Sequence, residues 1–192
     1  MIAENQIYIV VDIEADGPAA GLHSMLSLAA VATSAEREIS QFYRKLLPLP
    51  EAKPDPDTME WWQGFPEAWQ EANTDQQNPE IVVRDFCRWL ASLGAEPVFV
   101  ANPVGLDYTF VSWYLFRYAE SNPFMNEKHA IRTIDLRSFI AGKYDLSFNN
   151  ASRANLPSAL TQGMPEHTHR AIDDAVGYGV LVRNLLKINH LV

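Results

Sequence analysis

The sequence predicts an α/β fold, a mixed β-sheet flanked by α-helices. Three observations predict it. Apolar, β-branched runs fill the first quarter of the chain, and helical patterns alternate with short apolar runs after it. Hydrophobic residues make up 47% of the 192 residues, enough to bury a sizeable core. One domain over residues 1–192 is expected.

The first strand is read over residues 7–13, Ile-Tyr-Ile-Val-Val-Asp-Ile, with Glu14 just beyond. Side chains alternate along a strand, so Tyr8, Val10, Asp12 and Glu14 share one face, and Ile7, Ile9, Val11 and Ile13 the other. Both faces are apolar before the acids begin, which suits a central strand covered on both sides. Ionised carboxylates beside such a strand are costly unless compensated, and a divalent cation would compensate them. A strand running out into a solvated acidic turn is the other reading of the pair.

Further strands are read at 24–33 and 39–46, with Asp16-Gly17-Pro18 and Gly21 marking the intervening turn. A proline-rich loop spans 48–56. Short tryptophan-rich helices follow at 57–62 and 66–71. An amphipathic helix covers 79–93, with Pro79 near its start and Gly94 past its end. A short buried strand at 98–101 leads to a helix at 107–118. Residues 131–135 read as another strand, 142–157 as a polar irregular segment, and about 168–187 as the last helix.

Composition narrows the function. The formal charge of −9 argues against a broad grip on duplex DNA, which takes many lysine and arginine contacts to phosphates. It leaves room for a small site where cations meet a phosphate. The only cysteine, Cys87, lies in a helical pattern and reads as a packing residue; with no internal disulfide possible, a reducing, cytoplasmic setting is expected. Residues 1–6 lack the regions of a signal peptide, and no apolar stretch reaches membrane-span length, so no membrane partner is expected.

Three acidic segments lie far apart in the chain: Asp12 with Glu14, then Asp107, then His169-Arg170-Ala171-Ile172-Asp173-Asp174. Helix geometry separates the two last aspartates. Steps of three or four from Asp174 reach Gly177, Leu181, Leu185 and Ile188, the apolar stripe. The same steps from Asp173 reach Gly177, Val180, Asn184 and Lys187, a more polar line. Asp174 is therefore expected to face the sheet and Asp173 solvent.

Asp12-Ile13-Glu14, then Asp107, then His169 with Asp174 five positions later, resemble the three motifs of the DnaQ-like 3′-5′ exonucleases, the histidine (DEDDh) branch of the DEDD superfamily. The resemblance spans nearly the whole chain. It implies an RNase H-like sheet and a hydrolase releasing nucleoside 5′-monophosphates from the 3′ ends of single-stranded nucleic acid. It also implies two divalent ions, Mg²⁺ or Mn²⁺, held by Asp12, Glu14, Asp107 and Asp174, with His169 as general base. Related exonucleases are often homodimers. The family's first motif usually continues Thr-Thr-Gly; here Ala15-Asp16-Gly17 follows, which makes Ala15 and Asp16 candidates for setting how the terminal nucleotide is held.

Oxygen donors suit hard cations, and an unperturbed imidazole titrates near pH 6.5, within reach of a base role at neutral pH. His167 is the nearest competitor to His169, though its spacing to Asp174 differs. Asp107 also reads as a helix cap, and Asp135 as a strand end or cap. Thr58-Met59-Glu60-Trp61-Trp62 resembles the Thr-x-x-Trp-Trp element of RNase AS-like exoribonucleases, a hint toward RNA. Trp61 and Trp62 stack on bases or serve as core, and Phe65 and His23 lie near the substrate or simply pack. Two rival readings remain: a DNA-directed proofreading or repair exonuclease, and an idle exonuclease fold that binds nucleic acid or protein.

Overall fold

The computed structural model describes residues 6–189. Its sheet has five strands: β1 (Gln6–Ala15), β2 (Met25–Thr33), β3 (Glu38–Lys45), β4 (Glu96–Ala101) and β5 (Thr133–Asp135). They lie in the order β3-β2-β1-β4-β5, so β1 is central. β1 and β3 run antiparallel to β2; β1, β4 and β5 run parallel to one another. This is the expected mixed sheet.

The alternation along β1 divides the core in two. Ile7, Ile9, Val11 and Ile13 pack with Phe86, Phe110 and Tyr114 from α3 (Pro79–Ser92) and α4 (Val104–Ala119). Val10 packs on the opposite face with Ala175, Leu181 and Leu185 of α7 (Ala171–Asn189). Full burial of such side chains stabilises the fold by about 1.5–3 kcal/mol each. α7 crosses β2 closely: a Cβ on Gly179 would come within 3.2 Å of Val31.

Strand lengths set the place of the site. β1 pairs with β4 only as far as Val10 opposite Val100. Asp12 and Glu14 therefore lie beyond the point where β4 leaves the sheet for α4, in the crevice at the carboxyl ends of the parallel strands, where α/β sheets bind ligands. β1 continues to Ala15 beside β2, with a register shift between Glu14 and Ala15. The acids thus sit within the strand, not past its end.

Several boundaries differ from the sequence reading. The last helix begins at Ala171, three residues later than 168, so His169 precedes it with a left-handed backbone (φ 56°). An eight-residue helix, α5 (Leu136–Lys143), and a single turn, α6 (Ser158–Thr161), were not anticipated; α5 runs two residues into the segment read as irregular. β5 is only three residues long, because Ile131 forms a lone bridge with Met125 instead. α1 (Pro56–Trp62) is capped by Asp55, which accepts from the Thr58 N–H at 2.9 Å, and α2 (Pro66–Ala72) follows. No helix among the described residues is long and apolar enough to cross a membrane.

Candidate active site

β1 brings Asp12 and Glu14 to one face, and the first turn of α7 brings Asp174 against them. Carboxylate oxygens of the three all lie within 4.8 Å of one another. Asp174 is 1% exposed. Its neighbour Asp173 turns outward, as the helix-face count expects, and accepts from the Thr168 hydroxyl at 2.8 Å.

Asp107 arrives from the first turn of α4. Its Oδ1 accepts the Ile13 N–H at 3.0 Å, a donor that β4 has left without a strand partner. Asp107 is not a simple helix cap. It stands on β1, beside the other acids rather than within their closest trio.

Burial raises the pKa of Asp12 and Glu14 well above the carboxylate range. Mutual repulsion adds to it: Asp107, Glu14 and Asp174 act on Asp12, and Asp174, Asp107 and Glu71 on Glu14. Asp107 is pushed up to about 7 by burial, against the lowering effect of the Ile13 N–H. Asp12, Glu14 and Asp107 resist ionisation together unless positive charge joins them.

Two buried side-chain atoms without a hydrogen-bond partner, Ser27 Oγ and Arg153 Nη1, belong to the same face. Ser27 lies directly opposite Glu14 in the β1–β2 register. Arg153 Nη1 is 3.7 Å from Asp174 Oδ1, and its charge lowers the pKa of Asp12. Unpaired buried polar atoms are uncommon and mark places that take up a further polar group. Oxygen donors and raised pKa values together fit hard divalent cations, whereas the guanidinium N–H suits an anion.

The histidines stand at the mouth of this cluster. His167 Nδ1 lies 2.6 Å from Asp174 Oδ1. An imidazole nitrogen of His169 is within 4.8 Å of both. Its ring centroid lies 4.1 Å from Phe65 and 5.1 Å from Trp61. Burial lowers the pKa of His169, helped by His167 and opposed by Asp174, which keeps its ring neutral to lower pH.

Comparison with known proteins identifies the family. The RNase_T exonuclease family model matches residues 9–177. The chain belongs to that exonuclease family. Its three motifs resemble those of the DEDDh-type 3′-5′ exonucleases, and a DEDDh family member shares its fold. The chain is 27% identical over 192 residues to the 3′-5′ DNA exonuclease Cap18 of Escherichia coli, covering 98% of this chain and 96% of that protein. Among solved structures it resembles the nuclease domain of 3′hExo, a DEDDh family member bound to rAMP (TM-score 0.71, 12% identity, 97% of this chain and 94% of that one). It also resembles E. coli exonuclease I in complex with a dA16 oligonucleotide (TM-score 0.68, 18% identity, 95% of this chain and 41% of that one). Exonuclease I of E. coli is also described in a zinc-bound complex with single-stranded DNA, and a 3′-exonuclease of similar fold in 3′-end recognition of a histone mRNA stem-loop.

The remaining sequence candidates of this exonuclease separate cleanly. Trp61 is 45% exposed and borders His169, whereas Trp62 is 2% exposed and donates its indole N–H to the Ala15 carbonyl at 3.1 Å. Asp16 is buried and accepts the Ser24 N–H at 2.5 Å, so its carboxylate builds the loop instead of facing the acids. Ala15 also serves the scaffold through its carbonyl. His23 packs on Gly17 and contacts the Lys53 carbonyl. Asp135 caps α5 at Ser138 and accepts the Val104 N–H at 2.7 Å, a cap role as expected.

Arg153 was missed because it comes from an irregular loop, where no periodicity announces a contact. Its signals are faint: a cation in a polar segment, and Gly177 one turn after Asp174, where a Cβ would lie 3.1 Å from Nη1.

Proposed function

We propose that this exonuclease cleaves single-stranded nucleic acid from the 3′ end, one nucleotide at a time, with two Mg²⁺ or Mn²⁺ ions. The observation that carries the proposal is the convergence of Asp12, Glu14 and Asp174, with Asp107 anchored beside them on β1. These four carboxylates are the metal ligands of the proposal. When bound, the ions supply charge stabilisation for the attacking and leaving oxygens of the phosphodiester.

The chain's own residues do the rest. His169 takes a proton from the attacking water; its depressed pKa leaves it unprotonated at neutral pH, the form a base needs. Phe65 packs its ring from one side, and the open face of Trp61 receives the terminal base. Trp62 holds α1 to the end of β1 and so fixes Trp61. Arg153 offers its unused N–H to a phosphate oxygen. A single cysteine suits a reducing, cytoplasmic setting.

RNA is our first reading of the substrate, on the Thr58–Trp62 element. DNA is the second, favoured by the full-length similarity to a DNA exonuclease. Matched 5′-labelled RNA and DNA strands, with poly(A) and mixed ends, decide between them. A metal-dependent ladder shortening from the 3′ end is the expected result. An untouched strand with Mg²⁺ and Mn²⁺ would leave the idle-fold reading. A Tm that stays fixed on adding millimolar Mn²⁺ would count the same way, because a bound ion must stabilise the native state.

A further inference from the structure

We propose that His167, His169 and Asp174 form a second cation site, selective for late first-row ions such as Zn²⁺, whose occupation switches the exonuclease off. A donor atom from each of the three lies within 4.8 Å of the others. The set is two imidazoles and one carboxylate, unlike the all-oxygen group of Asp12, Glu14 and Asp174. Imidazole nitrogen suits Zn²⁺, Co²⁺ or Ni²⁺, whereas Mg²⁺ prefers oxygen alone.

Three protein ligands and one open position are the arrangement of many zinc centres. Bonds of about 2.0–2.2 Å at tetrahedral angles separate donors by roughly 3.3–3.6 Å. His167 Nδ1 and Asp174 Oδ1 are now 2.6 Å apart, joined by a proton that a metal would replace. The rings of His167 and His169 are 4.2 Å apart, brought onto one side by the left-handed turn at His169. A non-glycine residue held there costs of order 1–3 kcal/mol, so the surroundings enforce the placement. The adjustment needed falls on His167, whose side chain is 40% exposed.

The inhibitory consequence follows from sharing. A cation here occupies the lone pair that makes His169 a base and draws Asp174 from the hard-metal cluster. That consequence rests on the exonuclease reading; the binding itself does not.

Two measurements test it on the full chain in millimolar Mg²⁺. One equivalent of Co²⁺ is titrated in and the visible d–d absorption of low-coordinate cobalt is recorded. Wild type should show the band, and His167→Gln and His169→Gln should lose it. In parallel, Zn²⁺ is titrated into Mg²⁺-supported cleavage, each protein normalised to its own zinc-free rate. His167→Gln should need about tenfold more Zn²⁺ or beyond for half-inhibition, since losing even a residue that supports a ligand costs that much. No band in wild type, or equal band and equal zinc sensitivity in His167→Gln, overturns the site. A His167→Gln protein with weakened Mg²⁺ binding but an unchanged band also overturns it, by making His167 only an orienting partner of Asp174. Absent cleavage with Mg²⁺ alone would strike the exonuclease reading, while the cobalt titration still decides this one.

Discussion

The two faces of β1 make opposite use of the same strand. Ile7, Ile9, Val11 and Ile13 bury against α3 and α4 in a core rich in aromatic rings, with ordinary packing throughout. One residue over, Tyr8 and Val10 lead to Asp12 and Glu14, which share their face with a serine hydroxyl and a guanidinium nitrogen that lack hydrogen-bond partners and with another buried aspartate. The first face holds the fold together. The second stores electrostatic repulsion that a bound cation would relieve. A strand's period of two lets both be written into ten residues without mixing.

Substitutions on either face should separate activity from stability. Asp12→Asn or Asp174→Asn should lower the cleavage rate about 1,000-fold or more, because several kcal/mol of transition-state stabilisation go with the metals. The fold should survive, so a protein with wild-type circular dichroism and residual activity above a tenth would contradict the metal role. Ile9→Ala, on the other face, should cost about 2–5 kcal/mol of stability while the rate per folded molecule stays unchanged. His169→Ala should lower the rate about 100- to 10,000-fold. Manganese affinity measured by calorimetry should hold nearly steady; near-normal turnover would remove His169 as the base.

The acidic face also makes a pH prediction. Burial raises Asp12, Glu14 and Asp107, the last to about 7, so the metal-free fold holds protons that the unfolded chain has released. Its stability should therefore fall as pH rises from about 4 through 7, and not rise as it does for salt-bridged carboxylates. Melting in EDTA across that range tests the slope. Asp107→Asn should flatten it, and saturating Mn²⁺ should raise Tm most at the alkaline end. A metal-free Tm that climbs with pH would contradict the crowding of charge.

Smaller effects refine the contrast at the rim. Trp61→Leu should weaken substrate capture by about 1–3 kcal/mol, read as a higher KM with an unchanged Tm. Trp62→Leu should do the reverse, lowering Tm through lost packing and the lost bond to Ala15. Asp173→Ala should change the rate only a few-fold; a loss equal to that of Asp174→Ala would sink the helix-face assignment.

What was legible in the sequence was periodic. Alternation placed the acids on a central strand, and steps of three and four turned Asp174 inward and Asp173 outward. Local signals with one outcome were legible too, such as Asp135 as a cap. What escaped was aperiodic. Leu136–Lys143 spans only eight residues, and its start is set by the Asp135 cap, so α5 is hard to read from periodicity. The left-handed turn at His169 leaves no trace in hydropathy, so the helix was started too early. Arg153 meets Asp174 only through the path of a loop. The Trp61-Trp62 pair was ambiguous because two adjacent residues on a short helix point different ways, and only tertiary packing picks the buried one.

The anchoring of Asp174 on α7 has a consequence for how the protein is made. β1 and α4 emerge early from synthesis, yet Asp12, Glu14 and Asp107 stay incomplete until Ala171–Asn189 packs across β1 and β2. Growing chains emerge amino end first. A nascent or truncated chain therefore carries most of the centre but not its closing aspartate. On the proposed site, cleavage should wait until the last helix has packed.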